Sequence, residues 1–331
     1  MNSTDEYLPR KRVSSHDVAR VAEVSQTTVS LVFSGKANGR VSDRTRERVL
    51  DAADRLGYSP NTAARELRVG YSKTVALLTP VLGNSFFAAV HDSLARSARI
   101  EDVNVIIYPL AADDVSALPP FNRTVDGIIG CSLDWDEVQA TAQRIPTVLL
   151  DADPSGPVPT VNADVSAGAR ELALHLVSRP ERPIIHLAAD LSSWTFESRG
   201  SAMRAVLEGT GLHYSIIRTP ATVGAARAQA LRVFGQRTMP LTLVCDTDDM
   251  ALGVYLAAAS LGLGIPAEVS IASFDDREID KWLVPGLTSV RIEAEVLGST
   301  AMSLLRSWWH DGRPPASRII PATLQLRGSV A

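Results

Sequence analysis

Only two cysteines, Cys131 and Cys245, occur in 331 residues, too few for a disulfide framework. Each lies in an apolar, strand-like run, which favours two buried thiols in a reducing compartment. No apolar run reaches the ~18 residues that a membrane span needs. The longest, Leu252–Ile265, is interrupted by Ser260 and three glycines, and reads as a helix followed by a turn. The first dozen residues place Asp5 and Glu6 ahead of Arg10-Lys11-Arg12 and carry nothing like the apolar core of a secretory signal. A cytoplasmic protein is expected, with no membrane partner. The six histidines are scattered. No His-Glu-x-x-His, Gly-x-Ser-x-Gly or phosphate-cradling loop is present, and Gly262-Leu263-Gly264 reads as a helix-ending turn. The expectation is no catalytic residue, no metal site and no cofactor. Two rivals stay open: an enzyme using cleft carboxylates as acid and base, and an exported solute-binding protein.

What is present is ordinary in amount and uneven in placement. Hydrophobic residues make up 45% and charged residues 21%, a globular balance, and the length suits about two domains. The net charge of −4 conceals an asymmetry. Residues 1–73 hold 13 Lys/Arg and 9 Asp/Glu, and the remainder holds 20 and 28. A basic head on an acidic body suits a phosphate-bearing partner at one end only.

Residues 1–12 are polar and read as a disordered tail. Residues 13–60 read as three short helices. Ser14 with Asp17 forms a capping-box pattern, and Val18, Val21 and Ala22 follow at helical spacing. Ser25 caps a second helix, Gln26 to about Phe33. Ser42 caps a third, whose apolar stripe is Val49, Ala52, Ala53 and Leu56, and Gly57 stops it. Residues 61–72 form a linker. Its segment Asn61–Arg68, opened by Pro60, is too short to be a stable helix in water without a partner.

From Lys73 the pattern becomes alternating strands and helices. Expected strands are Val75–Thr79, Val103–Tyr108, Gly127–Gly130, Thr147–Asp151, Ile184–Ala188, Tyr214–Arg218, Leu241–Cys245, Ser270–Phe274, Thr288–Ile292 and Ile319–Leu326. Expected helices are Phe86–Ser97, Ala167–Val177, Arg199–Leu207, Ala225–Phe234, Asp249–Leu261 and Glu293–Trp309. The fold class that follows is an all-α helix-turn-helix head plus an α/β body over 73–331. That body is two doubly wound parallel-sheet lobes with a cleft between them.

The segment from Asp17 to Ser30, DVARVAEVSQTTVS, carries the most information. Two helices joined by a tight turn place the second in a major groove. Ala19 lets the helices cross closely, and Val24 and Val29 fill the space between. Gln26, Thr27, Ser30 and Leu31 are then exposed, where amides and hydroxyls meet base edges or phosphates. A plain helical hairpin shows the same polar positions, and remains the alternative on this pattern alone.

This stretch, with RVSDRTRERVL from Arg40, LGYSPN from Leu56 and AAREL from Ala63, resembles the head and hinge of the LacI/GalR family across nearly all of residues 13–73. The later part is similar, more loosely, to that family's sensor domain, itself similar to periplasmic sugar-binding proteins. The resemblance implies a sequence-specific transcription regulator, a repressor in the first place, with activation also open. It implies a homodimer, with a tetramer also open, on near-palindromic double-stranded DNA, and a small-molecule effector, carbohydrate by class, between the lobes. Gln26, Thr27 and Leu31 match the base-reading positions, and Ala64 and Leu67 match hinge positions that enter the minor groove and kink a base step. Ser14, Ser25, Thr28, Ser30, Tyr58 and Asn61 complete the expected DNA-contacting set. Two departures stand out. Glu23 occupies a turn position where the family often has glycine. Leu31 replaces a polar or basic base reader, which favours a thymine methyl over guanine.

For the body, the same resemblance implies effector contacts at Asn84 and Phe86 in Gly83-Asn-Ser-Phe-Phe87, at Asp164, Arg199, Asp248 in Thr247-Asp248, and Asp275, with Trp282 as a second stacking face. Each has a plainer reading. Phe86 fits the start of a buried helix face, Asp248 a helix cap, and Arg199 a structural ion pair. The Phe86–Ser97 and Glu293–Trp309 surfaces are the expected dimer contacts. The proline-containing stretch around Leu118-Pro119-Pro120 is short for the family's helix there, so the first lobe is expected to lack it or to present a reshaped face.

Overall fold

The structure, a computed structural model, describes residues 13–34, 37–59, 71–80, 85–110, 121, 124–179, 182–237 and 239–331. The tail 1–12, the hinge positions Asn61, Ala64 and Leu67, the loop residue Asn84 and the Leu118–Pro120 stretch lie outside them. The chain divides into two compact units, Met1–Ser72 and Lys73–Ala331.

The first unit contains α1 (Ser15–Val21), α2 (Gln26–Phe33) and α3 (Asp43–Leu56). Local chemistry sets each boundary. Ser14 and Asp17 exchange the reciprocal hydrogen bonds of a capping box, Ser25 accepts from the Thr28 N–H, and Ser42 accepts from the Thr45 N–H. Such caps satisfy N–H groups that a helix start leaves unpaired, and are worth about 1 kcal/mol each. Gly57 ends α3 at φ 62°, a left-handed conformation that glycine adopts without a Cβ clash. Val18, Val29 and Val49 are buried among Ala19, Ala22, Ala52 and Ala53. Arg48 donates to the Ala22 carbonyl, tying α3 to the end of α1.

The second unit holds two six-stranded sheets. In the first lobe lie β1 (Thr74–Thr79), β2 (Asn104–Pro109), β3 (Gly127–Cys131), β4 (Thr147–Leu150) and β5 (Thr160–Ala163), with helices α4 (Ser85–Ile100) and α5 (Trp135–Ala142). After α6 (Val165–Val177) the second lobe carries β6 (Ile184–Ala189), α7 (Trp194–Leu207), β7 (Tyr214–Thr219), α8 (Val223–Gln236), β8 (Leu241–Cys245), α9 (Asp248–Leu261), β9 (Val269–Asp275), a 3₁₀ turn (Glu278–Lys281) and β10 (Thr288–Arg291). The chain then returns as α10 (Ala294–Asp311), packed on α4. Gly298 permits that packing, since a Cβ there would lie 2.6 Å from the Val90 carbonyl oxygen.

Two short strands finish the chain, β11 (Arg318–Ile320) and β12 (Thr323–Gln325). The sequence suggests one strand over Ile319–Leu326. The structure divides it between sheets: β11 pairs parallel with β5, and β12 antiparallel with β10. Pro321, which has no N–H for a ladder, stands at the crossing. The second sheet is therefore mixed, not wholly parallel. The sheet orders are β11-β5-β4-β3-β1-β2 and β12-β10-β9-β8-β6-β7. Chain order reverses beside β1 and β6, the kind of switch point where open α/β sheets bind ligands at their carboxyl ends. The β5 strand and α5 have no counterpart among the expected elements. The first is only four residues, with the polar Asn162 buried inside it and bonded to both backbone groups of Ala152. The second is eight residues, started by an Asp134–Glu137 capping box.

Cys131 and Cys245 are free and buried. Among the described residues, no helix is long and apolar enough to cross a membrane.

Candidate functional site

In the head, α2 turns Val29 and Val32 inward, which leaves Gln26 and Thr27 exposed and Ser30 and Leu31 half-buried at the surface. Gln26 donates from Nε2 to Ser15 Oγ at 2.9 Å, bracing α2 against α1. Ser14 and Ser25 serve as caps, and the Ser25 and Thr28 hydroxyls lie 2.9 Å apart. Tyr58 meets Phe33 edge-on at 5.5 Å. Thr27, Ser30 and Leu31 thus form an outward strip, and the serines aim helix starts whose N–H groups suit phosphate. Glu23 adopts φ 52°, the left-handed turn geometry that a non-glycine residue takes at some cost.

In the second unit, polar residues gather where strands end. Ser132 follows β3, Asp151 follows β4, Asp164 follows β5, Asp246 follows β8, and Asp275 closes β9. Ser132, Asp151, Asp275 and Asp276 all have positive φ, at 50°, 57°, 111° and 55°. Clustered strain of this sort in non-glycine residues marks functional loops more often than scaffold. Asp151 bridges the lobes. Its Oδ2 accepts from Ser132 Oγ at 2.7 Å and its Oδ1 accepts from Thr195 Oγ1 at the start of α7.

One helical turn beyond Thr195 stands Arg199, buried. It donates to the Asp246 carbonyl and reaches Asp275 Oδ1 at 3.4 Å. Its guanidinium lies 4.6 Å from the Phe274 ring centre and 5.3 Å from that of Phe196, a cation–π setting. Its buried Nε has no acceptor among the described residues, a donor open to a ligand. Asp246 is held from behind by His186 Nε2 at 2.9 Å and the Ala189 N–H at 2.8 Å, and His186 Nδ1 meets the Tyr214 hydroxyl at 3.0 Å. Burial pushes Asp275 up to about 8 despite Arg199, with Asp248 and Asp151 raising it further and Arg277 opposing.

The structure brings Arg199 and Asp275 together and gives the other described candidates partners of their own or an exposed position. Asp248 is buried with both oxygens engaged, by Ser273, Ser289 and the Arg277 N–H. It does not cap α9, since Thr247 is the cap. Asp164 caps α6, accepting from the Ala167 N–H at 3.0 Å. Phe86 packs with Phe87 (5.3 Å, edge-on) against the first lobe's core, the buried-helix reading. Trp282 is 73% exposed at the end of the 3₁₀ turn, unlike a wall of an enclosed site. Asp151, Ser132 and Thr195 were not among the candidates, although Asp151 shares with Asp275 the signal of an acid at a strand's carboxyl end.

Residues 15–61 match the bacterial regulatory proteins of the lacI family, and residues 173–330 match the periplasmic binding protein-like domain. The chain belongs to the LacI family. It is 27% identical to catabolite control protein A of Priestia megaterium, over 96% of this chain and 99% of that one. It is 26% identical to the lactose operon repressor of Escherichia coli K12, over 96% and 90%. A crystal structure of the lac repressor dimer bound to operator and the anti-inducer ONPF superposes with a TM-score of 0.85 at 25% identity, over 97% of this chain and all of that one. The LacI-family chain is a transcription regulator and not an enzyme. In this LacI-family protein the exposed strip on α2 belongs to the helix-turn-helix head, and the Arg199–Asp275 pair to the binding-protein-like part.

Proposed function

We propose that this regulator represses transcription by binding a near-palindromic operator as a homodimer, and that a carbohydrate held between the sensor lobes changes its operator affinity. The observation that carries the effector half is the meeting of Asp151 and Thr195 across the lobes beside Arg199 and Asp275. Planar polar groups suit hydroxyls, and the open Arg199 Nε adds a directed donor. A ligand bridging the strand ends alters the lobe angle, and that change shifts operator binding only by its different affinity for the two states. Structures of lac repressor with operator and of the CelR regulator with cellobiose support the same division of labour.

For the DNA half, Gln26, Thr27 and Leu31 read base edges. Ser14, Ser25, Thr28, Ser30, Tyr58 and Asn61 position the backbone, and Ala64 and Leu67 enter the minor groove. The three-domain division at residues 13–60, 61–72 and 73–331 goes with this assignment.

The test is selection of bound fragments from the source genome by full-length protein. Binding to the recovered duplex is then measured with and without the sugars that neighbouring genes handle. A symmetric site, released by one such sugar in the wild type and not in Arg199→Met, supports the reading. Sugar-independent binding by both proteins overturns the effector half.

A further inference from the structure

Beside the Arg199–Asp275 pair lies a pair of buried acids, Asp248 and Asp280. Asp248 opens α9 and accepts from Ser273 Oγ, from Ser289 Oγ at 3.1 Å and from the Arg277 N–H at 3.0 Å. Asp280, in the 3₁₀ turn, is completely buried. Neither of its carboxyl oxygens receives an N–H or hydroxyl from any described residue. It adjoins Asp248 through the Arg277 backbone: the Asp280 N–H donates to the Arg277 carbonyl at 3.0 Å, and the Arg277 N–H donates to Asp248 at 3.0 Å, so the two carboxyls interact closely.

Two ionised carboxylates this close, buried and without a donor between them, repel strongly. The surrounding cations are engaged elsewhere, and Arg327 only partly opposes the rise at Asp280. Arg277 is bound to Asp249 at 2.8 Å. Arg291 and Arg327 both bind Asp276, and Arg327 also donates to the Leu287 carbonyl. Lys281 pairs with Glu278, and Arg199 is held by Asp246 and Asp275. Tyr255 of α9 donates its hydroxyl to the Pro285 carbonyl. A proton between the two acids turns the repulsion into an O–H···O⁻ hydrogen bond, among the strongest a protein makes.

We infer that Asp248 and Asp280 share one proton, and that Asp280 thereby acts through Asp248 as a positioning residue for the strained turn that carries Asp275. The route is short. Asp248 holds the Arg277 N–H and Ser289, and Ser289 Oγ accepts from the Asp276 N–H at 3.1 Å. These bonds clamp Asp275 and Asp276 at φ 111° and 55°. Burial and the charge of Asp248 push Asp280 up to about 9, so the proton stays at neutral pH. When it leaves, the acids repel and the clamp loosens. The inference does not depend on what the cleft binds.

Asp280→Asn tests it, because the amide N–H donates to Asp248 in place of the shared proton. Infrared spectra of the full-length protein at neutral pH are expected to lose one protonated-carboxyl carbonyl band in the variant, a band that shifts in deuterium oxide in the wild type. Urea unfolding supplies the second reading. Each proton held by the folded chain and released by the unfolded one raises the unfolding constant about tenfold per pH unit. D280N is expected to reduce that dependence by one proton between about pH 5 and pH 8. If D280N folds poorly, Asp280→Ser, with a hydroxyl donor, carries the same two expectations. Persistence of the band, or an unchanged pH dependence, in a folded variant overturns the inference.

Discussion

Replacing Asp275 by asparagine should stabilise the sensor unit while removing its response to effector. The Asp275 side chain is 10% exposed and its carboxyl is pushed up to about 8, burial being the main cause. In an unfolded chain an aspartate titrates near ~3.9. Between those values the folded protein holds a proton that the unfolded chain has released. The contribution to stability is therefore intact below about pH 4, falls as pH rises, and levels off above the folded value near 8. At about 1.4 kcal/mol per pH unit, the three units from ~3.9 to 7 set a ceiling of roughly 4 kcal/mol. Asp248 and Asp151 interact with the same group, and coupled acids divide such an effect, so about half, ~2 kcal/mol, is expected at pH 7. Asparagine keeps an oxygen for Arg199 and has nothing to titrate. The assay is urea unfolding at pH 5, 6, 7 and 8, followed by tryptophan fluorescence. All five tryptophans (135, 194, 282, 308 and 309) lie in the second unit, so the signal reports that unit alone. D275N should gain little at pH 5 and most at pH 8. A variant less stable than wild type at pH 7, or a gap that does not widen with pH, would refute the reasoning.

Val49→Ala removes a completely buried side chain from the head's core and should destabilise the head by ~2 kcal/mol, transfer and cavity together, seen as earlier loss of head helicity in circular dichroism. Gly298→Ala sets a Cβ against the Val90 carbonyl. Parting α10 from α4 is expected to lower the fluorescence-detected stability by about 1–3 kcal/mol. Leu31→Ala should weaken binding to an operator with thymine at the matching outer position by about 1 kcal/mol and relax preference there. A guanine preference that Leu31→Ala leaves intact contradicts the Leu31 assignment.

The head was legible because its signals are local. Ser14, Ser25, Ser42 and Gly57 fix helix ends through neighbours three or four residues away, and the α3 stripe at Val49, Ala52, Ala53 and Leu56 repeats at the helical period. The Leu241–Cys245 strand is apolar throughout and buried throughout, and was equally plain. The split of Ile319–Leu326 was not, because which sheet a strand joins depends on partners over 30 residues away or more. The site divides in the same way. Arg199 and Asp275 are legible as polar residues at strand and helix ends, yet nothing in Thr247-Asp248 reveals that Ser273, Ser289 and Arg277 surround Asp248. Asp151 went unnamed because its partner Thr195 is 44 residues away. Asp280 carries no sequence signal, since an acid between Ile279 and Lys281 reads as surface, and only tertiary packing buries it.

The most direct measurement is competition binding of the purified full-length protein to a genome-selected duplex against random duplex, from about 50 to 200 mM salt. A dimer neutralising six or more phosphates should lose on the order of 1,000-fold affinity over that range, while preference for the selected duplex persists and shifts with the effector sugar. Equal affinity for selected and random duplex at every salt concentration would contradict the account.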